Sequence, residues 1–145
     1  MWYNIIRGEF VLDNKEKYEH WLKLSQYDLD TASVMFDSGR YVYVAFMCQQ
    51  AIEKLAKGIY VYNFNEEAKY THNIGLVLKD IEEIANTEDY KNYITLFVDL
   101  TSYYIAGRYS SYKQDIAKEI SKEKAEELLL KTKGAFEWLK SQVKL

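Results

Sequence analysis

The chain has 145 residues, 48% of them hydrophobic and 28% charged, with a net charge of −3. That is the size and composition of one ordinary globular domain, long enough to bury a core without a metal or disulfide staple. The acidic balance argues against a broad footprint for duplex nucleic acid, and the single cysteine, Cys48, excludes an intrachain disulfide and any multi-cysteine metal site.

Proline is absent, where average usage of about 5% would supply about seven, so long helices run uninterrupted. Residues 1–12 (MWYNIIRGEFVL) are apolar without a period and read as an arm ahead of a single domain whose bundle spans about 14–143. Asp13 followed by Glu16 has the capping-box spacing, so a helix starts near Asn14. Tyr18, Leu22, Ser25, Leu29, Ala32 and Phe36 then recur at helical spacing, and Gly39 is the closing left-handed cap. A second helix, about Tyr41 to Tyr62, is apolar nearly all round and is therefore central. Its polar residues are few, and Gln50, Lys54 and Lys57 share a narrow face beside Gln49 and Glu53, with Glu53 and Lys57 at pairing distance. After a polar loop at 63–71, a short third helix is expected from about Asn73 to Ala85. Thr87 caps a fourth helix carrying Ile94, Phe97, Val98, Thr101 and Ile105. A loop spans Gly107 to Ile120, and Ser121 caps a fifth helix striped by Ala125, Leu128, Leu129, Thr132, Phe136, Leu139 and Val143. The expected fold is an all-α, up-and-down antiparallel bundle of about five helices.

No basic region followed by an apolar one opens the chain, and no apolar run reaches about 18 residues. With Cys48 unpaired, the expected location is the cytoplasm, away from membranes. Two histidines and one cysteine give little support for zinc, and GxxxxGK[ST], GxGxxG, GxSxG and HExxH are all absent. No metal or cofactor is expected.

Arg108 is the sharpest candidate. Ile94, Val98, Thr101, Ile105 and Arg108 fall on one stripe of the fourth helix, which would turn the guanidinium inward, where it needs acceptors. Tyrosines surround it, Tyr109 and Tyr112 among them, and tyrosine beside arginine can stack a base and clamp a phosphate. The competing reading is a helix-end arginine that caps carbonyls or pairs with an acid. Asp28, at the margin of the first helix's stripe, is placed to answer Lys54 or Arg108, or is an ordinary surface carboxylate. The strip on helix two lines a cleft or makes buried hydrogen bonds. His72, just before helix three, suits a general base or a structural cap.

Asp28-Leu29-Asp30-Thr31-Ala32, Gly39-Arg40-Tyr41, the run Ala45 to Lys57 with its QQAIEK core, His72 leading Ile74 and Leu78, and Arg108-Tyr109 together resemble the HEPN domain family. The resemblance covers about residues 15–143. It implies a helical bundle that commonly dimerises, often paired in toxin–antitoxin fashion with a minimal nucleotidyltransferase; other members are metal-independent endoribonucleases or nucleotide-binding modules. In the ribonuclease branch an arginine precedes a histidine by four to six residues. Arg108 matches that arginine, but Tyr109 to Asp115 contain no histidine. The tyrosine that some partner enzymes adenylylate falls at Asp115, Ile116 or Ala117, and is also absent. The sequence is similar to the branch reading Arg-Tyr-Pro, with Ser110 in place of proline.

These readings together predict a nucleotide- or RNA-binding homodimer that works with a nucleotidyltransferase. Arg108 is the candidate catalytic residue; Tyr109, Tyr112, Lys54, Gln50, Asp28 and His72 are candidate nucleotide- or RNA-binding residues. The rivals are a ligand-free dimerisation scaffold, in which Asp28 or Glu53 would consume Arg108, and a weak metal-independent endoribonuclease, which needs a histidine or tyrosine brought to Arg108. Arginine stabilises phosphorane charge but is no base at neutral pH.

Overall fold

Helix starts follow the local chemistry of the capping residues. The computed structural model describes residues 12–108 and 120–145; Tyr109, Tyr112, nearly all of the arm and most of the 107–120 connection lie outside them. Asp13 Oδ1 accepts from the Glu16 N–H at 2.8 Å while the Glu16 carboxylate accepts from the Asp13 N–H at 3.4 Å, starting α1 (Asn14–Asp37). Gly39, at φ +76°, makes the left-handed turn that leads directly into α2 (Tyr41–Phe64). Asn73, Thr87 and Ser121 each accept a backbone N–H and open α3 (Ile74–Leu78), α5 (Glu88–Gly107) and α6 (Lys122–Ser141). α4 (Glu82–Ala85) has no side-chain cap.

Aromatic pairs set the helix directions. Tyr18, early in α1, meets Tyr62, late in α2, while Phe36 and Tyr41 meet at the opposite end. The Asn14 amide also donates to the Tyr62 carbonyl at 3.1 Å. α1 and α2 are therefore antiparallel. Phe46, early in α2, contacts Tyr104, late in α5, and Tyr93, early in α5, stacks on Trp138, late in α6. The four long helices thus run up, down, up, down, with α3 and α4 in the crossover. α2 touches α1, α3, α5 and α6, which explains why it is apolar all round: Val44, Ala45, Cys48, Ala51, Ile52, Leu55 and Ile59 are all buried. All regular structure among the described residues is helical.

Two expectations need correction. The third helix is not continuous from 73 to 85. It breaks at Lys79–Ile81, where Ile81 takes φ −97° and ψ 89° and its N–H bonds to the Leu78 carbonyl at 3.0 Å. Isolated helices this short are marginal, and packing decides their path; the break still buries Ile74, Val77, Leu78, Ile81 and Ile84.

The inward face of α5 is also different. The buried row is Tyr90, Leu96, Phe97, Leu100, Thr101 and Gly107, whereas Val98 and Ile105 are exposed and Ile94 is half-buried. α5 carries apolar residues on two faces, and the row with the aromatic ring and the leucines takes the core. Arg108 lies with the losing row, so its guanidinium is not turned inward.

Candidate functional site at the end of helix α5

The site is built from α2 outward. Glu53 is 5% exposed, and its carboxylate accepts from Gln49 Nε2 at 3.0 Å and from Lys57 Nζ at 3.1 Å. These residues are spaced i, i+4, i+8 on one helix, so the register itself lines them up. Gln49 Nε2 also donates to the His72 carbonyl at 2.8 Å, tying the segment before α3 onto α2. Gln50 Nε2 donates to Gln49 Oε1 at 2.7 Å. The QQAIEK run therefore makes a buried hydrogen-bonded network that holds His72 in place.

His72 Nδ1 lies 2.9 Å from Glu53 Oε1. A carboxylate only accepts, so Nδ1 carries the proton of this contact and Nε2 is left on the far edge of the ring from Glu53. The imidazole is about 30% exposed, accessible but anchored. Its ring centre is 5.1 Å from that of Tyr104, and the Arg108 guanidinium carbon lies 5.8 Å from the Tyr104 ring centre. That is within reach of a cation–π contact. The His72 ring also lies near that of Tyr70, with ring centres 6.3 Å apart.

Gly107 brings α5 close to α2. A Cβ there would lie 2.0 Å from Phe46 Cζ, and Phe46 itself packs edge-on against Tyr104. Only a glycine lets the ring lie on the backbone here, which seats the last turn of α5. Arg108 is the C-cap of that turn and is exposed. A cation suits the negative end of a helix, yet among the described residues Arg108 has no hydrogen-bonded or ion-paired acid. Its donors face solvent.

The candidate residues therefore divide. His72 and Arg108 come together through Tyr104, and Gln50 joins the network behind His72. Lys54 and Asp28 form a separate pair across α1 and α2, at 2.6 Å and only partly exposed. That settles the two open partners for Asp28 in favour of Lys54. No hydrogen bond or ion pair joins this pair to His72 or Arg108. Asp28 and Glu53 both have other partners, so neither consumes Arg108. Tyr109 and Tyr112 lie outside the described residues. Tyr104 was legible only as one of the tyrosines around Arg108, and Glu53 only as a partner for Lys57; Tyr70 and the Glu53–His72 contact were not singled out from the sequence.

A carboxylate–imidazole pair, an aromatic ring and an exposed guanidinium thus lie at one end of a small all-α, up-and-down bundle. The chain matches the HEPN domain family over residues 18–142. That is most of its length, and the protein belongs to the HEPN family. No curated protein and no solved structure matches the chain significantly. Among the described residues, no helix is long and apolar enough to cross a membrane, and no cluster of His, Cys, Asp and Glu has the arrangement of a metal site.

Proposed function

We propose that this HEPN domain is a nucleotide- or RNA-binding module whose ligand site is formed by Arg108, Tyr104 and His72. The observation that supports this reading best is a guanidinium with no acidic partner among the described residues, set against a tyrosine ring that also contacts an oriented imidazole. Arginine supplies donors for a phosphate, and the rings supply faces for a base. The family resemblance adds the wider setting: a cytoplasmic homodimer acting with a minimal nucleotidyltransferase in a toxin–antitoxin-like pair. The scaffold reading is less favoured, because Asp28 and Glu53 hold Lys54, Lys57 and His72 instead of Arg108. Calorimetry with AMP tests the site. Arg108→Ala should weaken binding by about 1–3 kcal/mol, the value of a charge-assisted contact, without unfolding an exposed position. No binding by the wild type, or equal binding by the variant, removes the proposal.

The 2.9 Å Glu53–His72 contact favours a second reading, slow metal-independent RNA cleavage. His72 Nε2 takes the 2′-hydroxyl proton, the 2′-oxygen attacks phosphorus, and the imidazolium returns the proton to the departing 5′-oxygen. The products are a 2′,3′-cyclic phosphate and a 5′-hydroxyl, and Arg108 stabilises the phosphorane charge. Cleavage of single-stranded RNA in chelator, lost in His72→Ala, supports this; cleavage unchanged in that variant refutes it.

A further inference from the structure

We propose that the cleft between α5 and α6 is a second ligand site, one that takes a small zwitterion: a free amino acid with an apolar side chain. The cleft has a volume of about 170 Å³, below the range of sites for drug-sized molecules, so its occupant is small. Its floor is Leu96 from α5 and Leu128 from α6, both buried, with the half-buried Tyr93 alongside. Stacking on Trp138, with ring centres 5.1 Å apart, fixes the Tyr93 ring.

Four charged side chains line the same cleft, Asp99 on α5 and Lys124, Glu127 and Lys131 on α6. They do not cancel one another evenly. Helix spacing sets Glu127 within reach of both lysines, three residues after one and four before the other. Its carboxylate accepts from Lys131 Nζ at 2.8 Å but lies 3.8 Å from Lys124 Nζ. Lys131 is therefore the engaged lysine, and the half-buried Lys124 is held loosely. Asp99, also half-buried, has no hydrogen bond or ion pair among the described residues. One helix thus brings an unpartnered carboxylate to the cleft, and the other brings a loosely held ammonium.

That pattern selects the charge type of the occupant. A plain cation would answer Asp99 but meet Lys124 and Lys131. A plain anion would answer Lys124 but meet Asp99 and Glu127. A molecule carrying both charges answers both helices and leaves the net charge of the cleft unchanged. A free amino acid carries its ammonium and carboxylate on one carbon, and an apolar side chain covers Leu96 and Leu128. Arg108, Tyr104 and His72 do not line this cleft, so the two sites are separate.

Nitrogen-15 NMR titrations of the whole chain test the proposal with three probes: leucine, isopentylamine (leucine without its carboxylate) and isocaproate (leucine without its ammonium). Each lost charge-assisted contact weakens binding by about tenfold or more. Leucine should therefore bind at least about tenfold tighter than either analogue, shifting amides within 92–99 and 124–131. Asp99→Asn should weaken leucine by about tenfold and leave isocaproate at least as tight. Lys124→Met should weaken leucine as much and leave isopentylamine at least as tight. Circular dichroism checks that both variants are folded. Leucine bound no tighter than its analogues, leucine affinity unchanged in either variant, or no shift in the cleft at about 20 mM leucine overturns the site. None of these results touches the reading of AMP at Arg108.

Discussion

Removing the Glu53 carboxylate perturbs the network at its centre. Glu53→Ala strips the acceptor from Gln49 Nε2, Lys57 Nζ and His72 Nδ1, which lie 3.0, 3.1 and 2.9 Å away. Breaking a buried charged pair costs about 3–5 kcal/mol. Here the Lys57 and His72 side chains are about 15% and 30% exposed and regain some water, and Gln49 keeps its bond to the His72 carbonyl. The lower end, about 3 kcal/mol, is therefore expected. With an unfolding entropy of about 2.1 cal/mol/K per residue, that lowers Tm by about 10 °C for a domain of this length. Glu53→Gln keeps the volume and one acceptor oxygen and should cost about half as much. Urea and thermal unfolding followed by circular dichroism measure both, and nitrogen-15 shifts of His72 report whether Nδ1 still carries the proton. Loss of less than about 1 kcal/mol in Glu53→Ala, with the His72 tautomer unchanged, would refute the network as the element that holds the imidazole.

Three further outcomes follow from the packing. Gly107→Ala should destabilise by about 1–2 kcal/mol despite alanine's better helix propensity, because the added methyl meets Phe46; Phe46→Leu in the same chain should restore part of the loss. Phe97→Ala should cost about 3–5 kcal/mol while Val98→Ser changes stability by less than about 0.5, since Phe97 is buried and Val98 exposed; urea midpoints of the two variants check which face of α5 is inward. Burial pushes the Cys48 thiol from 9.0 to about 12 and the Tyr18 hydroxyl from 10.0 to about 12. Both groups hold their protons more tightly when folded, so their stabilising contribution is complete below pH 9 and is lost as pH rises from there towards 12. Urea midpoints between pH 8 and 11 should fall, less steeply in Cys48→Ala, and native Cys48 should resist alkylation at pH 8.

Much of the fold was legible because the relevant signals are local. Asp13 with Glu16, Gly39, Thr87 and Ser121 mark boundaries through bonds to their own neighbours, and these survive into the structure. The α6 stripe from Ala125 to Leu139 is buried as its spacing implies. The face of α5 was legible only in Phe97 and Thr101. Ile94, Val98 and Ile105 are as hydrophobic as the buried row, and only the neighbouring helices choose between them. The break at Lys79–Ile81 was hidden for a related reason, because the apolar spacing from Ile74 to Ile84 fits a continuous helix and the turn depends on tertiary packing.

The site was half legible. Helix spacing brings Glu53 to Lys57, and the Lys54–Asp28 pair was one of two partners open to that aspartate. The contact of His72 with Tyr104 joins residues far apart in the chain, so no spacing rule reaches it.

A nitrogen-15 NMR titration with AMP tests the central claim most directly. Saturable shifts confined to the His72 imidazole, the Arg108 guanidinium and the backbone at the end of α5, and abolished in Arg108→Ala, are the predicted result. Shifts centred on residues away from His72 and Arg108, or none at millimolar AMP, would contradict it.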